Sequence, residues 1–333
     1  MNYKSDVLFL YKKHVAYGVS FGLINSANFT CDALEKKTAF KVNCEHCVDS
    51  NEIDKYVTLH KPRICVLEAL WYLPSKLAEL QNIHKDVIFI PRVHSCLPFL
   101  STEGTAIKNL KDYSYLENTV IAFNSKETTY DFKGVTDNAA YLPNIYFKPD
   151  YITFPTPKED NKLRIGCFGA SRQMKNQLIQ AFAAIEYADL TDNVLHYYIN
   201  ANRVEQGDNI ISNIEGAFYN TKHHLHLVDW MPHQEFVTFM AKMDISLQVS
   251  FTESFNIVTA DATYVGVPSV VSEEISWTPR EAQVNPNSMK DIANKIKEVL
   301  QSKNAYVNAT QAALDRYNEE ALSTWTKFIN EYM

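Results

Sequence analysis

Two carboxylates, Glu253 and Asp261, stand in the stretch ESFNIVTAD with seven residues between them. An apolar strand pattern, DISLQVS from Asp244 to Ser250, runs into this stretch. The helix that follows is expected to end near Gly266 and Pro268, ahead of a second strand, PSVVS. Strand, acidic loop, helix and strand make one right-handed βαβ unit, whose helix N-terminus points at the carboxyl edge of the sheet, where α/β proteins bind ligands. Backbone N–H groups of Ser254, Phe255 and Asn256 are expected to face that edge, where the helix dipole favours an anion. Glu253 is expected at the mouth of the helix and Asp261 about two turns in, on a similar face. So placed, the pair can accept hydrogen bonds from hydroxyls at two points along one ligand.

A second stretch, FGASRQMKN from Phe168 to Asn176, follows a strand and opens a helix. Gly169 permits a tight turn, and Arg172 and Lys175 then place two cations beside a helix N-terminus, an arrangement that suits a diphosphate. The plainer alternative is a glycine turn with two solvated cations.

The elements that must position these residues alternate along the whole chain. In the first half, strands are expected at Asp6–Tyr11, Thr38–Asn43, Arg63–Glu68, Asp86–Val93, Thr119–Asn124 and Ala139–Leu142. In the second half they recur at Leu163–Phe168, Val194–Ile199, His224–Val228, Asp244–Gln248 and Ser269–Ser272. Helical patterns between them predict parallel sheets. The proline- and charge-rich stretch YFKPDYITFPTPKEDN reads as a linker, which divides the chain into residues 1–150 and 151–333. A helix over Ala305–Met333, with a break near Asn318, closes the second half and has the length to cross back to the first.

At 333 residues and 46% hydrophobic the chain can furnish two α/β cores. No apolar run reaches membrane-spanning length, and the early VLFLY run lacks a signal-peptide cleavage region, so a soluble cytoplasmic protein is expected. Six cysteines, several in or beside strands, read as free thiols. CEHC, Cys44 to Cys47, lacks a second pair at zinc spacing and reads as a loop with two incidental thiols. HHLH, His223 to His226, alternates like a strand and lacks a carboxylate at metal spacing. The net charge of −7 falls wholly in the second half, with 15 Lys and Arg against 22 Asp and Glu, while the first half balances 17 against 17. A basic surplus of the kind nucleic-acid binders show is absent.

With both junctions in one half, the chain resembles the GT-B glycosyltransferases, particularly family four, the retaining nucleotide-sugar enzymes. The resemblance implies two Rossmann-like domains with parallel sheets facing across a cleft: an acceptor-side domain over residues 1–150 and a donor-binding domain over 151–333. In that family a basic pair after the first strand of the second domain holds the donor diphosphate, and Arg172 and Lys175 match it. Of the family's two acids, the first meets donor-sugar hydroxyls and the second the ribose. Glu253 matches the first, and Asp261 replaces the second with a side chain one methylene shorter. YGVSFGL, with Gly18 and Gly22, looks like the glycine loop beneath the donor, and His94 in RVHS matches a histidine close to the donor sugar; a satisfied surface or cleft histidine at a strand end is the other reading.

INANRVEQGDN resembles a segment of phage and bacterial relatives, which implies nucleotide contacts from Asn200, Asn202 and Arg203; a polar capped loop is the other reading. Glu68, Ser95 and Glu103 fall on the acceptor side. Taken alone, Glu68 and Glu103 are as readily a strand-end acid and a helix-cap partner. No Asp-x-Asp motif follows a suitable strand, so no metal and no tightly bound cofactor are expected, and leaving-group charge falls to protein cations and helix dipoles. The expected donor is a UDP-sugar. The acceptor hydroxyl is left open between a glycan, a small molecule, a protein side chain and 5-hydroxymethylcytosine in phage DNA. For DNA, the lysines Lys12, Lys13, Lys36, Lys37, Lys41, Lys108 and Lys111 are the candidate backbone contacts. An epimerase, a phosphorylase or a sugar-binding module with the same architecture stays open.

Overall fold

The computed structural model describes residues 3–13, 21–152, 162–201 and 208–333. The chain forms two compact units: residues 1–147 with 317–333, and residues 148–316. The first is built on a six-stranded sheet of β1 (Ser5–Lys12), β2 (Val42–Cys47), β3 (Pro62–Glu68), β4 (Ile88–Val93), β5 (Ile121–Phe123) and β6 (Ala139–Tyr141), in the order β2-β1-β3-β4-β5-β6. Helices α1 (Phe21–Lys37), α2 (Glu52–His60), α3 (Pro74–Ile83), α4 (Leu97–Leu100), α5 (Ala106–Ser114) and α6 (Lys126–Phe132) connect the strands. Every strand pairing in this sheet is parallel.

Strand β1 shows why the sheet is covered on both faces. Successive side chains alternate in direction along a strand. Leu8 and Leu10 join Ile53 and Val57 of α2 and Leu77 and Leu80 of α3 on one face. Val7 and Phe9 join Leu34 of α1 on the other. The nearly continuous apolar run therefore follows from burial on both sides, as parallel sheets require.

In the second unit the strands are β7 (Leu163–Cys167), β8 (Leu195–Asn200), β9 (His224–Val228), β10 (Ile245–Gln248) and β11 (Ser269–Val271), all parallel, in the order β11-β10-β7-β8-β9. Helices α7 (Gln177–Leu190), α8 (Asp208–Phe218), α9 (His233–Met240), α10 (Ile257–Tyr264) and α11 (Met289–Gln301) accompany them. Ala181, Ala184 and Ala188 of α7 pack with Ile165, Tyr197 and Leu247 in one core, completed by Ile292 and Ile296 of α11. Strand order reverses between β7 and β10, and the carboxyl ends of these two strands form the switch point where such sheets take ligands.

The last helix, α12 (Lys303–Glu331), is continuous, and its residues from Tyr317 onward belong to the first unit. The break expected near Asn318 does not occur. Asn318 is fully buried and clasps Tyr146, accepting from its N–H at 2.9 Å and donating to its carbonyl at 2.8 Å. Trp325, also fully buried, packs 5.4 Å from Phe9 and donates Nε1–H to the Pro143 carbonyl at 2.8 Å.

The second strand also departs from expectation, starting at Val42 rather than Thr38, so CEHC lies within a strand and not a loop. Pairing of Val7 with Val42 through Lys12 with Cys47 sets that register. An edge strand needs only one partner and carries a weak apolar pattern. All six cysteines are free thiols. No helix among the described residues is long and apolar enough to cross a membrane.

Candidate functional site

At the carboxyl end of β7 the chain turns through Gly169, whose φ of +119° is open to glycine and costly for side-chain-bearing residues. The Gly169 N–H donates to Asn200 Oδ1 at 2.9 Å, and Ser171 Oγ donates to the Asn200 carbonyl at 3.0 Å. Asn200, at the end of β8 and 4% exposed, thus latches the turn. Gln173–Lys175 form one 3-10 turn, preceded by Arg172 in extended backbone and followed by Asn176 in the left-handed region. Arg172 and Lys175 therefore stand on the approach to α7 and not on its first turn.

Asn176 anchors this approach, donating from Nδ2 to the carbonyls of Val249 at 3.0 Å and Pro286 at 2.8 Å. The Phe251 N–H donates to the Met174 carbonyl at 2.8 Å, which joins the β7 turn to the β10 turn. Two loops far apart in sequence are in this way fixed side by side at the switch point.

The Glu253 carboxylate closes the pair. Its Oε1 takes hydrogen bonds from Lys175 Nζ, from Asn256 Nδ2 at 3.1 Å and from Ser250 Oγ at 3.2 Å. The side chains of Lys175 and Glu253 are 12% and 9% exposed. Burial pushes the Glu253 carboxyl up, but the charges of Lys175 and Arg172 and the hydrogen bonds from Lys175 and Asn256 outweigh it and hold the group below the usual carboxylate range. The result is a cation–carboxylate–cation cluster at a loop edge.

The helix geometry differs from expectation. Asn256, in the left-handed region at φ 60°, caps α10 by accepting the Thr259 N–H at 2.9 Å, so the helix begins only at Ile257. Glu253 thus precedes the helix by a loop, and Asp261 sits about one turn in. The two acids do not share a helix face. Phe255 is 2% exposed, lies 5.8 Å from Trp277 and accepts the Trp277 Nε1–H at 2.6 Å, so it braces the loop; Ser254 is half-buried beside it.

Asp261 is 1% exposed, and its Oδ1 accepts from His233 Nε2 at 2.8 Å. His233 Nδ1 in turn lies 2.7 Å from the Tyr151 hydroxyl. Sequence reading missed both partners. No local sequence signal gives them away, since His233 lies 28 residues from Asp261 and Tyr151 82 residues from His233.

In the first unit, Glu68 at the end of β3 and Arg92 in β4 are both fully buried. Arg92 Nη1 donates to the Glu68 carboxylate at 2.9 and 3.1 Å, Nη2 donates to Asn144 Oδ1 at 2.6 Å, and Nε donates to the Leu142 carbonyl at 3.0 Å. His94 Nε2 pairs with Glu68 Oε2, and His94 Nδ1 lies 3.3 Å from Asn124 Nδ2. That pattern puts the proton on Nε2 and makes Nδ1 an acceptor. Burial pulls the His94 imidazole below its ordinary value and Arg92 adds to this, outweighing the opposing pull of Glu68. Both ring nitrogens are engaged, Nε2 by Glu68 and Nδ1 by Asn124. Glu68 itself is held below the carboxylate range, since Arg92 and His94 outweigh its burial.

Glu68 therefore stands behind His94 with no surface of its own to offer an acceptor. Ala69 follows it in the left-handed region at φ 66°, a conformation uncommon for a residue with a side chain. Ser95 and Glu103 do meet, with Ser95 Oγ donating to Glu103 Oε1 at 2.7 Å. Gly22 lies in the first turn of α1, while Gly18, Asn202 and Arg203 fall outside the described residues. Among the described residues no group of three or more His, Cys, Asp and Glu could hold a metal ion.

Two parallel Rossmann-like sheets of six and five strands, with polar clusters at their carboxyl ends, define the GT-B fold. The chain aligns with the sucrose-phosphate synthase of Thermosynechococcus elongatus over 98% of each chain, with a TM-score of 0.69 and 12% identity. Against HepE of Anabaena in complex with UDP-glucose, the TM-score is 0.68 at 14% identity, covering 97% of this chain and 100% of that one. A TarM variant of S. aureus, solved with fondaparinux, α-GlcNAc-glycerol and UDP, aligns at a TM-score of 0.62 and 12% identity, over 83% of this chain. This chain spans 58% of that protein's length. No family model and no curated protein matches the sequence. What these structures share with this chain is the fold.

Proposed function

We propose that this chain is a glycosyltransferase that moves a sugar from a nucleoside diphosphate, UDP in the first instance, to an acceptor hydroxyl with retention of anomeric configuration. The observation that carries this reading is the cluster of Gly169, Arg172, Lys175 and Glu253 at the β7–β10 switch point. Lys175 and Arg172 would meet the diphosphate, and their charge would stabilise it as it departs. Glu253 would take the donor-sugar hydroxyls, exchanging internal hydrogen bonds for those of the ligand. Two structures of the same fold were solved with UDP or UDP-glucose, which supports the choice of base.

In the first unit, His94 is proposed as an oriented ring that takes part in transfer, Glu68 as the group that positions it, and Ser95 with Glu103 as the acceptor-side pair. For the acceptor, a glycan or small-molecule hydroxyl is favoured over hydroxymethylated phage DNA. Lys36 and Lys37 end α1 and Lys41 precedes β2, at the amino edge of the sheet, whereas Lys12 ends β1 at the carboxyl edge. Lysines on opposite edges do not make one track for a phosphate backbone.

Incubation with isotope-labelled UDP-sugars and a panel of hydroxyl acceptors, hydroxymethylcytosine DNA included, tests the reading. Transfer with release of UDP, and NMR of the product showing the donor's anomeric configuration, is the expected result. Release of an epimerised free sugar nucleotide, or tight binding with neither transfer nor hydrolysis, would replace it with an epimerase or a binding module.

A further inference from the structure

Asp261, His233 and Tyr151 form a chain of three polar groups running from the core to the surface of the second unit. The Asp261 side chain is 2% exposed, that of His233 12%, and Tyr151 39%. Asp261 Oδ1 accepts the His233 Nε2 proton at 2.8 Å, and this bond fixes the tautomer. His233 Nδ1 is then an acceptor, and the Tyr151 hydroxyl donates to it at 2.7 Å. The Tyr151 and His233 rings meet edge to face with centroids 5.8 Å apart. His233 is the first residue of α9, and α9 packs against α10, which carries Asp261, so the backbone of both elements holds the pair.

An aspartate this deeply covered cannot take a hydroxyl of a bound nucleotide directly while the imidazole stands over it. The imidazole, however, carries the carboxylate's hydrogen-bonding preference outward. A carboxylate on Nε2–H leaves Nδ1 a stronger acceptor, aimed where a hydroxyl already donates. Aspartate plus imidazole spans the reach that a lone aspartate lacks. A phenol and a ribose hydroxyl present the same O–H donor.

Resting on the donor reading above, we infer that His233, backed by Asp261, is the group that accepts the ribose hydroxyl, and that the Tyr151 hydroxyl holds the position a ribose hydroxyl takes. Donor binding then exchanges one O–H···Nδ1 bond for another, and Tyr151 swings outward. No covalent step is involved. Discrimination between ribose and deoxyribose lies in this exchange, because a deoxy ligand would expel the phenol and leave Nδ1 without a donor.

Calorimetry on the full chain with UDP, 2′-deoxy-UDP and 3′-deoxy-UDP tests this. Wild type is expected to bind UDP about tenfold more tightly than at least one of the deoxy ligands. His233→Ala should lose this preference and weaken UDP about tenfold, and His233→Gln, which can both donate to Asp261 and accept from a hydroxyl, should recover part of the loss. Tyr151→Phe keeps the ring and removes the competing hydroxyl, so it should bind UDP a few-fold more tightly. Tyr151 lies at the surface, so this variant carries the test even if those at His233 do not fold. Weaker UDP binding by Tyr151→Phe, or a ribose preference that survives in His233→Ala, would overturn the inference and leave the donor reading standing. Failure of the wild-type chain to bind any nucleoside diphosphate would overturn the donor reading, and the inference with it.

Discussion

Replacing Lys175 with methionine removes the cation that neutralises Glu253 while keeping most of the side-chain volume. The pair is largely covered, with 12% and 9% of the two side chains exposed, so the variant leaves a buried carboxylate facing Asn256, Ser250 and the more distant Arg172. Breaking such a pair from one side costs about 3 to 5 kcal/mol, because the remaining charge keeps its desolvation penalty without its partner. The pH dependence separates this cause from simple loss of packing. In the wild type the Glu253 carboxyl is depressed, so its contribution to stability is fully present above the unfolded pKa and is lost as pH falls through the folded value. Between pH 5.5 and 7.5 it is ionised in both states and adds no slope.

In Lys175→Met the largest influence opposing burial is gone, and burial is expected to outweigh the remaining Arg172 charge and Asn256 hydrogen bond and raise the carboxyl above its unfolded value. A raised acid makes folding less favourable as pH climbs, at up to about 1.4 kcal/mol per pH unit while the pH lies between the two values. The deficit relative to wild type should therefore be larger at pH 7.5 than at pH 5.5, by as much as ~2.7 kcal/mol. Hydrogen exchange followed by mass spectrometry on peptides from β10 and α7 reads the opening free energy of the second unit by itself. The double variant Lys175→Met with Glu253→Gln should recover much of the loss, since no charge is then left buried. A deficit equal at the two pH values, or a double variant no more stable than the single, would refute the electrostatic reasoning.

Glycine 169 should not tolerate alanine. The obstacle is its φ of +119°, since an added Cβ would find nothing nearer than Lys175 Cε at 4.0 Å. The substitution is expected to cost about 1 to 3 kcal/mol or to shift the turn, with weaker UDP binding by calorimetry and a lower thermal midpoint. In the first unit, Glu68→Gln leaves Arg92 buried without a counter-charge and should destabilise that unit by about 3 to 5 kcal/mol, seen as faster exchange in β3 and β4 peptides, with UDP affinity unchanged.

Much of the architecture is legible in the residues themselves because its causes are local. Alternating strand and helix patterns establish two parallel-sheet units, and the strand-to-loop junctions locate Gly169, Arg172, Lys175 and Glu253 at sheet ends. Glycine's backbone freedom, the clustering of cations and the apolar periods all act within a few residues. The start of β2 was not legible, because an edge strand takes its register from β1 and not from its own pattern. Nor was the continuity of α12, because an asparagine in a helix reads as a break until a buried partner such as Tyr146 is found for it.

The partnerships that decide the chemistry belong to tertiary structure alone. Glu68 meets Arg92 and His94 only because β3 lies beside β4, and Asp261 meets His233 only because α9 and α10 pack together. A sequence can show that a carboxylate ends a strand or enters a helix. Whether that carboxylate faces a ligand or spends its charge on a buried cation or imidazole depends on neighbours 24 to 78 residues away, and chain folding alone brings them within hydrogen-bonding reach.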